Sequence, residues 1–571
     1  VHDIHQQGQN GSRLFLPPYM QPVEPNVPKQ IVEGFTELGN YMAADLRAKG
    51  FQGITTNSTY DAWTPARAYS HYHGGVRILS ETASARLATP VNIKFENLRA
   101  GSDDGYDPKV ESPNFGPVWR GGEWRLSNIT DTMTTAAFSL LNHASDNREK
   151  WLSRFYEIGK EAVRPRTTSN ELYGYRIKID DNFPELERIL ERGGVQFGYP
   201  KGEKETKVNA EGFFKSTYPS ESIIVPLEQP NGAFAKALLE RQSYPDLKDG
   251  NGTPISPYDV TSHTLPLLMN TEVEEIKAPF KPRWINKVFI STSRSHCGSG
   301  DNKIGIYKSS LAAMDEGWTR WVIEDAPCKE SENLNNQGIR ANKFDQKKPP
   351  VDLRGQSQKE LPYKTIIFPD QPPAQILNGY AKGSMPDEYT GGVGKEGVEN
   401  LKKFVEAGGT LVFLNRSTEF AIEQFNLPIR NVVKGLDRKA FYIPGSILRT
   451  ELDTTHPIAK NMPQQSIAWF ENSPAFELQA EPPALAGGTT MAASTPPAYA
   501  GGSARIIARY PTDPKNVLLS GWALGSDKIA GKAALVEVKM GKGKIILFGF
   551  RPQYRGQSLA TFPLLFNAIS Q

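Results

Sequence analysis

The stretch VHDIHQQGQNGSRLFLPPY at 1–19, read with GGVRILSETAS at 74–84, decides how the first part of the chain folds. Residues 1–5 read as the end of a strand, and a side-chain period of two puts His5 on the same face as Val1 and Asp3. VRILSE (76–81) reads as a second strand, with Arg77, Leu79 and Glu81 sharing a face. Each strand thus delivers one chemically useful group to its end, an imidazole and a carboxylate. The chain opens at Val1, without a Met, directly in a strand, so the expectation is a fragment or a numbering that starts mid-domain.

Outward from this pair, QQGQNGSR is turn-rich and LFLPPYMQPVEPNVP, with its five prolines, is an irregular extended loop. Over 28–48, Ile31, Val32, Phe35, Leu38, Met42 and Leu46 recur at helical spacing. TTNSTYDAWTPARAYSHYHGG (55–75) is expected to be an aromatic-rich loop. Helices near 130–142 and 147–162 complete a first unit, 1–163. A linker at 164–172 leads to a connecting α/β unit, 164–300, in which YGYRIKI and ESIIVPLEQP are strands and FPELERILERGG a glycine-stopped helix.

From 301 to 430, IGIY, TIIFPD and TLVFLN are short, continuously apolar strands that alternate with the helices MDEGWTRWVIED and GVENLKKFVEAGG. That alternation predicts a doubly wound, flavodoxin-like parallel sheet. Beyond 430, SILRTEL, SIAWFE, RIIARY, NVLLSGW, AALVEVKM and KIILFGF predict a β-rich unit, 431–571, interrupted by the low-complexity run 482–503. The fold class expected is α/β throughout, with this β-rich end.

Composition excludes some partners. Lys and Arg number 66 against 63 Asp and Glu, so nothing in the charge calls for nucleic acid or an anionic membrane. No apolar run reaches the roughly 18 residues of a membrane span. The two cysteines, Cys297 and Cys328, are read as unpaired thiols, with one bridge as the alternative.

The eight histidines contain neither H-E-x-x-H nor H-x-x-E, so no local metal motif exists. His71-x-His73 would put two rings on one face of a strand, but is read as loop histidines in the aromatic cluster. GGVGKEG (391–397) lacks the G-K-[ST] ending of a phosphate loop.

DIHQQGQNGSRLFLPPY and NSTYDAWTPARAYSHYHGGVRILSETASARLATP, with the helices after them, resemble in order the second half of a carboxypeptidase A-like zinc metallopeptidase domain. The likeness is to the bacterial branch with long C-terminal extensions, and covers about 1–163. It implies a secreted or periplasmic zinc metallocarboxypeptidase acting on peptide or protein substrates. His5 would be the last zinc ligand, Glu81 the catalytic carboxylate, and Tyr60 a tyrosine that closes over substrate, with Tyr69 and Tyr72 as competitors. Zinc acidifies its bound water and a nearby carboxylate shuttles the proton to the leaving amine, which suits these residue types. The family's H-x-x-E pair and its carboxylate-gripping arginines belong upstream of Val1. The zinc site is therefore expected to be incomplete within 1–571.

The stretch 301–430 resembles the class I glutamine amidotransferase fold. That activity needs a cysteine on a sharp strand-to-helix turn, where this chain has Asn415, Arg416 and Ser417, so a non-catalytic scaffold or binding unit is expected. The alternatives to a carboxypeptidase are a binding or scaffold protein with a vestigial peptidase half, and a cell-wall peptide endopeptidase or amidase using the same zinc chemistry.

Overall fold

The computed structural model describes residues 1–570 apart from 59, 102–103, 201–205, 210–214, 219, 250–251, 281–282, 285–303, 326–362 and 480–502. Cys297, Cys328 and most of the low-complexity run lie outside the described residues. The molecule is a mixed α/β protein with several sheets, parallel strands among them.

The first sheet contains β1 (His2–Gln7), β2 (Leu14–Phe15), β3 (Ile54–Thr55), β4 (Ile78–Ala83) and β5 (Phe115–Gly116), in the order β1-β4-β2-β3-β5. β1 runs parallel to β4, and β4 antiparallel to β2. The helix α1 (Lys29–Ala48) buries Ile31, Phe35, Leu38, Met42 and Leu46, the stripe its spacing predicts. Gly39 is needed there: a Cβ on it would lie 2.0 Å from the Pro17 carbonyl oxygen. α2 (Pro65–Tyr72) is a helix where a loop was expected. Extended Thr64 followed by Pro65 in the first turn starts it, and Ala68, His71 and Tyr72 turn inward. α3 (Leu126–Asp146) and α4 (Arg148–Ala162) complete this unit.

The connecting unit is an antiparallel sheet built on β6 (Gly174–Lys178) and β7 (Ser222–Pro226), whose buried Tyr175, Ile177, Ile223 and Val225 face α5 (Phe183–Arg192) and α6 (Gly232–Leu239).

In the last part, β8 (Ile304–Ile306), β9 (Thr365–Phe368) and β10 (Thr410–Leu414) pair in parallel. The next strand in the sheet comes from the chain's end. β14 (Gly543–Phe548) lies parallel to β10, with Val412 opposite Ile546. β13 (Ala533–Met540), β12 (Ala504–Arg509), β11 (Pro444–Leu452) and the strand Gln465–Glu471 then continue antiparallel. The expected division at 430/431 therefore falls inside one sheet of eleven strands among the described residues. Every residue of β9 and β10 is buried, because apolar layers cover both faces.

Candidate active site and a second polar crevice

β1 and β4 pair so that Asp3 stands opposite Leu79 and His5 opposite Glu81. Residues paired in parallel strands project to the same side, so the imidazole and the carboxylate that lie far apart in sequence meet on one face. Asp3 Oδ1 lies 3.0 Å from His5 Nε2, and the other carboxylate oxygen pairs with the Arg77 guanidinium. Burial pushes the Asp3 carboxyl up, but the Arg77 and His5 contacts outweigh it and hold it below the usual range. Glu81 is half-buried, and burial raises its carboxyl above the ordinary value although the charges of His5 and Arg67 oppose this.

Tyr60 joins the same group from the interior. Its side chain is 2% exposed, and its hydroxyl accepts from Arg77 Nη1 at 2.8 Å. Its ring packs on Tyr19 and Tyr258, and the Arg67 guanidinium sits 4.9 Å from it. Arg67 is also 5.0 Å from the Tyr258 ring and 3.0 Å from Asp259 Oδ2. The connecting unit thus covers this side of the site. Of the competing tyrosines, Tyr72 donates to Glu24 at 2.9 Å and is buried, while Tyr69 is exposed beside His73.

His71 and His73 lie on α2 and just past it. His71 Nε2 donates to the Arg77 carbonyl at 3.0 Å in a buried setting that lowers its pKa to about 4. His73 contacts the Tyr69 and Gly193 carbonyls at 2.8 Å. Both are held by backbone oxygens. Sequence reading did not single out Arg67, Tyr258 or Asp259, and no local pattern marks them.

Among the described residues no three His, Cys, Asp or Glu side chains converge as a metal-binding group. Around Glu81 there is one imidazole, already paired with Asp3. A catalytic zinc takes three protein ligands, so these residues do not fit the ion by themselves.

A second polar cluster lies where the parallel strands β8, β9, β10 and β14 end. Asn415 sits at the turn after β10 with φ +54°, its N–H donating to the Phe548 carbonyl at 2.8 Å and its side chain to Asp370 at 2.9 Å. Arg416 binds both carboxylate oxygens of Asp370. Buried Arg551 donates to Asp315 at 2.9 Å, to Asp370 at 2.8 Å and to the Glu471 carbonyl at 2.6 Å. Burial raises the Asp315 carboxyl, whereas for Asp370 the two arginines overcome burial and hold it low.

No protein-family model matches this chain, and no curated protein does. Solved structures give distant likenesses. A ThuA-like protein from Bacteroides uniformis is 14% identical over 48% of this chain and 92% of its own, with a TM-score of 0.23. A GMP synthase-like protein from Thermoplasma acidophilum is 10% identical over 48% of this chain and 94% of its own, at 0.25. A β-galactosidase from Bacillus circulans sp. alkalophilus is 14% identical over 36% of this chain and 22% of its own, at 0.21. Likenesses this faint assign neither a family nor an activity.

Proposed function

We propose that the chain is part of a zinc-dependent metallocarboxypeptidase that hydrolyses C-terminal peptide bonds. The observation supporting it is the register of β1 and β4, which sets His5 directly opposite Glu81 on one face. Glu81, partly desolvated and lifted above the ordinary carboxylate range, is suited to take a proton and return it to a leaving amine. His5 offers a ring nitrogen, and Arg77 and Asp3 fix the surrounding charges. Zinc would supply the acidification of a water. Its remaining ligands are not among the described residues around Glu81. The finer architecture of this reading is half a zinc-carboxypeptidase domain followed by an amidotransferase-like, flavodoxin-type unit, in a secreted or periplasmic protein. An endopeptidase or amidase on the same chemistry differs only in residues that would grip the substrate terminus.

The burial of Tyr60 beneath Tyr258 and Arg67 favours a second reading, a binding protein whose peptidase half is scaffold. A tyrosine that closes over substrate has to swing, and this one is packed.

The test is hydrolysis of an N-blocked dipeptide by the natural full-length protein with and without chelator, alongside Glu81→Gln. The peptidase reading expects loss of turnover with chelator. In the variant it expects a fall of about 100-fold or more, the scale of general acid–base catalysis, with the zinc content unchanged. Turnover that survives both treatments overturns the zinc peptidase reading, and no turnover in the untreated protein favours the scaffold.

A further inference from the structure

Helices α3 and α4 act as one helix bent at Asn147. The Asn147 N–H still donates to the His143 carbonyl at 3.1 Å, and the Trp151 N–H to the Asn147 carbonyl at 3.1 Å, so helical bonding runs through the bend. One side packs inward. Ile129, Met133, Ala136 and His143 of α3 and Ile158 of α4 are buried, and Lys150 and Arg154 reach Glu37 on α1. The opposite side is uncovered among the described residues, yet it is rich in apolar groups. Phe138, Leu141, Leu152, Phe155 and Tyr156 are each between 57% and 65% exposed. Side chains of this size, left that open, present roughly 100 Å² apiece and together on the order of 500 Å². That is the upper range for a patch on a monomer, and patches of this kind mark interaction surfaces.

Along this side Phe138, Leu141, Ser145, Arg148, Leu152 and Tyr156 follow at intervals of three or four, the period of a helix seam, and all are exposed. Two features of the seam have no explanation within a single copy. Gly159 lies inside α4, where glycine weakens a helix, and a Cβ on it would meet nothing within 4 Å. Arg148 and Glu149, adjacent charges of opposite sign in the middle of the stripe, make no ion pair among the described residues.

We propose that this face pairs with the same face of a second copy of the chain, the helices antiparallel about a two-fold axis between Arg148 and Glu149. A two-fold contact requires a surface that matches itself read backwards, and this one does. At the axis Arg148 meets the partner's Glu149, and Glu149 the partner's Arg148. Counting outward, Ser145 faces the partner's Leu152, Leu141 the partner's Tyr156, and Phe138 the partner's Gly159. Large side chains thus stand against small ones at Leu152 and at Phe138, and the missing Cβ of Gly159 leaves room for the Phe138 ring. With the polar residues between them, the area covered approaches the roughly 800 Å² per partner of a stable interface. A lipid surface or an unrelated protein would require neither the self-matching order nor one charge of each sign at its centre.

Sedimentation equilibrium of the natural full-length protein tests this. A dimer is expected at about 10 μM, where contacts of micromolar affinity are filled. Leu141→Lys and Arg148→Glu are each expected to weaken it about tenfold or more, because the two-fold counts every change twice. Combining Arg148→Glu with Glu149→Arg is expected to restore it. Gly159→Leu favours the helix but fills the space for Phe138, so it is expected to weaken the dimer without lowering the thermal midpoint of the dilute protein. All these positions are exposed in a single copy, and unchanged circular dichroism separates lost pairing from lost folding. A monomer up to about 100 μM overturns the proposal and leaves the face to a different partner. A dimer that every variant leaves intact overturns it too, since it must form through another surface. Failure of the charge exchange to rescue the dimer lost in Arg148→Glu overturns the two-fold arrangement.

Discussion

Glu24 shows how much one buried carboxyl can govern. Tyr72 donates its hydroxyl to it at 2.9 Å, and Asn26 contributes its backbone N–H at 2.9 Å and its amide at 2.6 Å. Burial nonetheless pushes the group from 4.5 up to about 7, and nearby Glu240 adds to the rise. Lys236, bonded to Asn26 and Glu240, is the cation on the same side. The folded state keeps a proton that the unfolded chain releases near pH 4.5. Stability from this group is therefore complete below pH 4.5 and lost as pH climbs to about 7. That rise amounts to roughly 3 kcal/mol. Urea unfolding at pH 4.5 and 7.5 is expected to show that loss in the natural protein and a much flatter profile in Glu24→Gln. Parallel profiles would show that Glu24 is already ionised in the fold. The sequence, VEPNVP in a proline-rich loop, carries no sign of this role. Burial was decided by helices and an adjacent unit that no local window contains.

Among the elements, those with a clean period were readable. α1, the helix Gly394–Glu406 and the strands β9 and β10 occupy the positions their apolar patterns predict, because core-facing residues must recur at the helix or strand period to be buried. α2 was not readable, since its inward face mixes Ala68, His71 and Tyr72, and aromatic, polar-rich composition imitates a loop. Local geometry at element ends also carries stability. After the helix Pro373–Asn378 the chain turns at Gly379, with φ +59° and ψ −150°, a region essentially closed to other residues. A Cβ there would sit 1.9 Å from the Gly391 carbonyl oxygen. Gly379→Ala is expected to cost about 3 kcal/mol or more in denaturant unfolding, combining the strained backbone with the clash. A cost under about 1 kcal/mol would mean that the turn relaxes freely.

Across the whole molecule, the units are tied by buried polar contacts as well as apolar ones. Trp63 Nε1 donates to the Thr261 carbonyl at 3.0 Å. The Thr264 and Ser262 hydroxyls and the Gln242 backbone N–H converge within 2.8 Å of Ser520 Oγ. One core runs from Leu14 and Phe35 through Ile177 and Phe234 to Trp469 and Tyr554. Separate unfolding of one unit would strip these partners and leave polar groups buried without them. Denaturant unfolding is thus expected to give coincident transitions by tryptophan fluorescence and far-ultraviolet circular dichroism. Two resolved steps would show that the joins are weaker than their burial implies.

Sequence by itself determined the α/β class, many of the strands and helices, and the alternation that puts Asp3 and His5 on one side of β1 and Arg77 and Glu81 on one face of the stretch 76–81. These are consequences of local periodicity. Only the tertiary structure decided that the two faces coincide, that Tyr258 and Asp259 close over Tyr60 and Arg67, and that the last strands join the sheet begun at Ile304. Pairing register and burial arise between segments hundreds of residues apart, where the energy of packing, rather than any local preference, selects the arrangement.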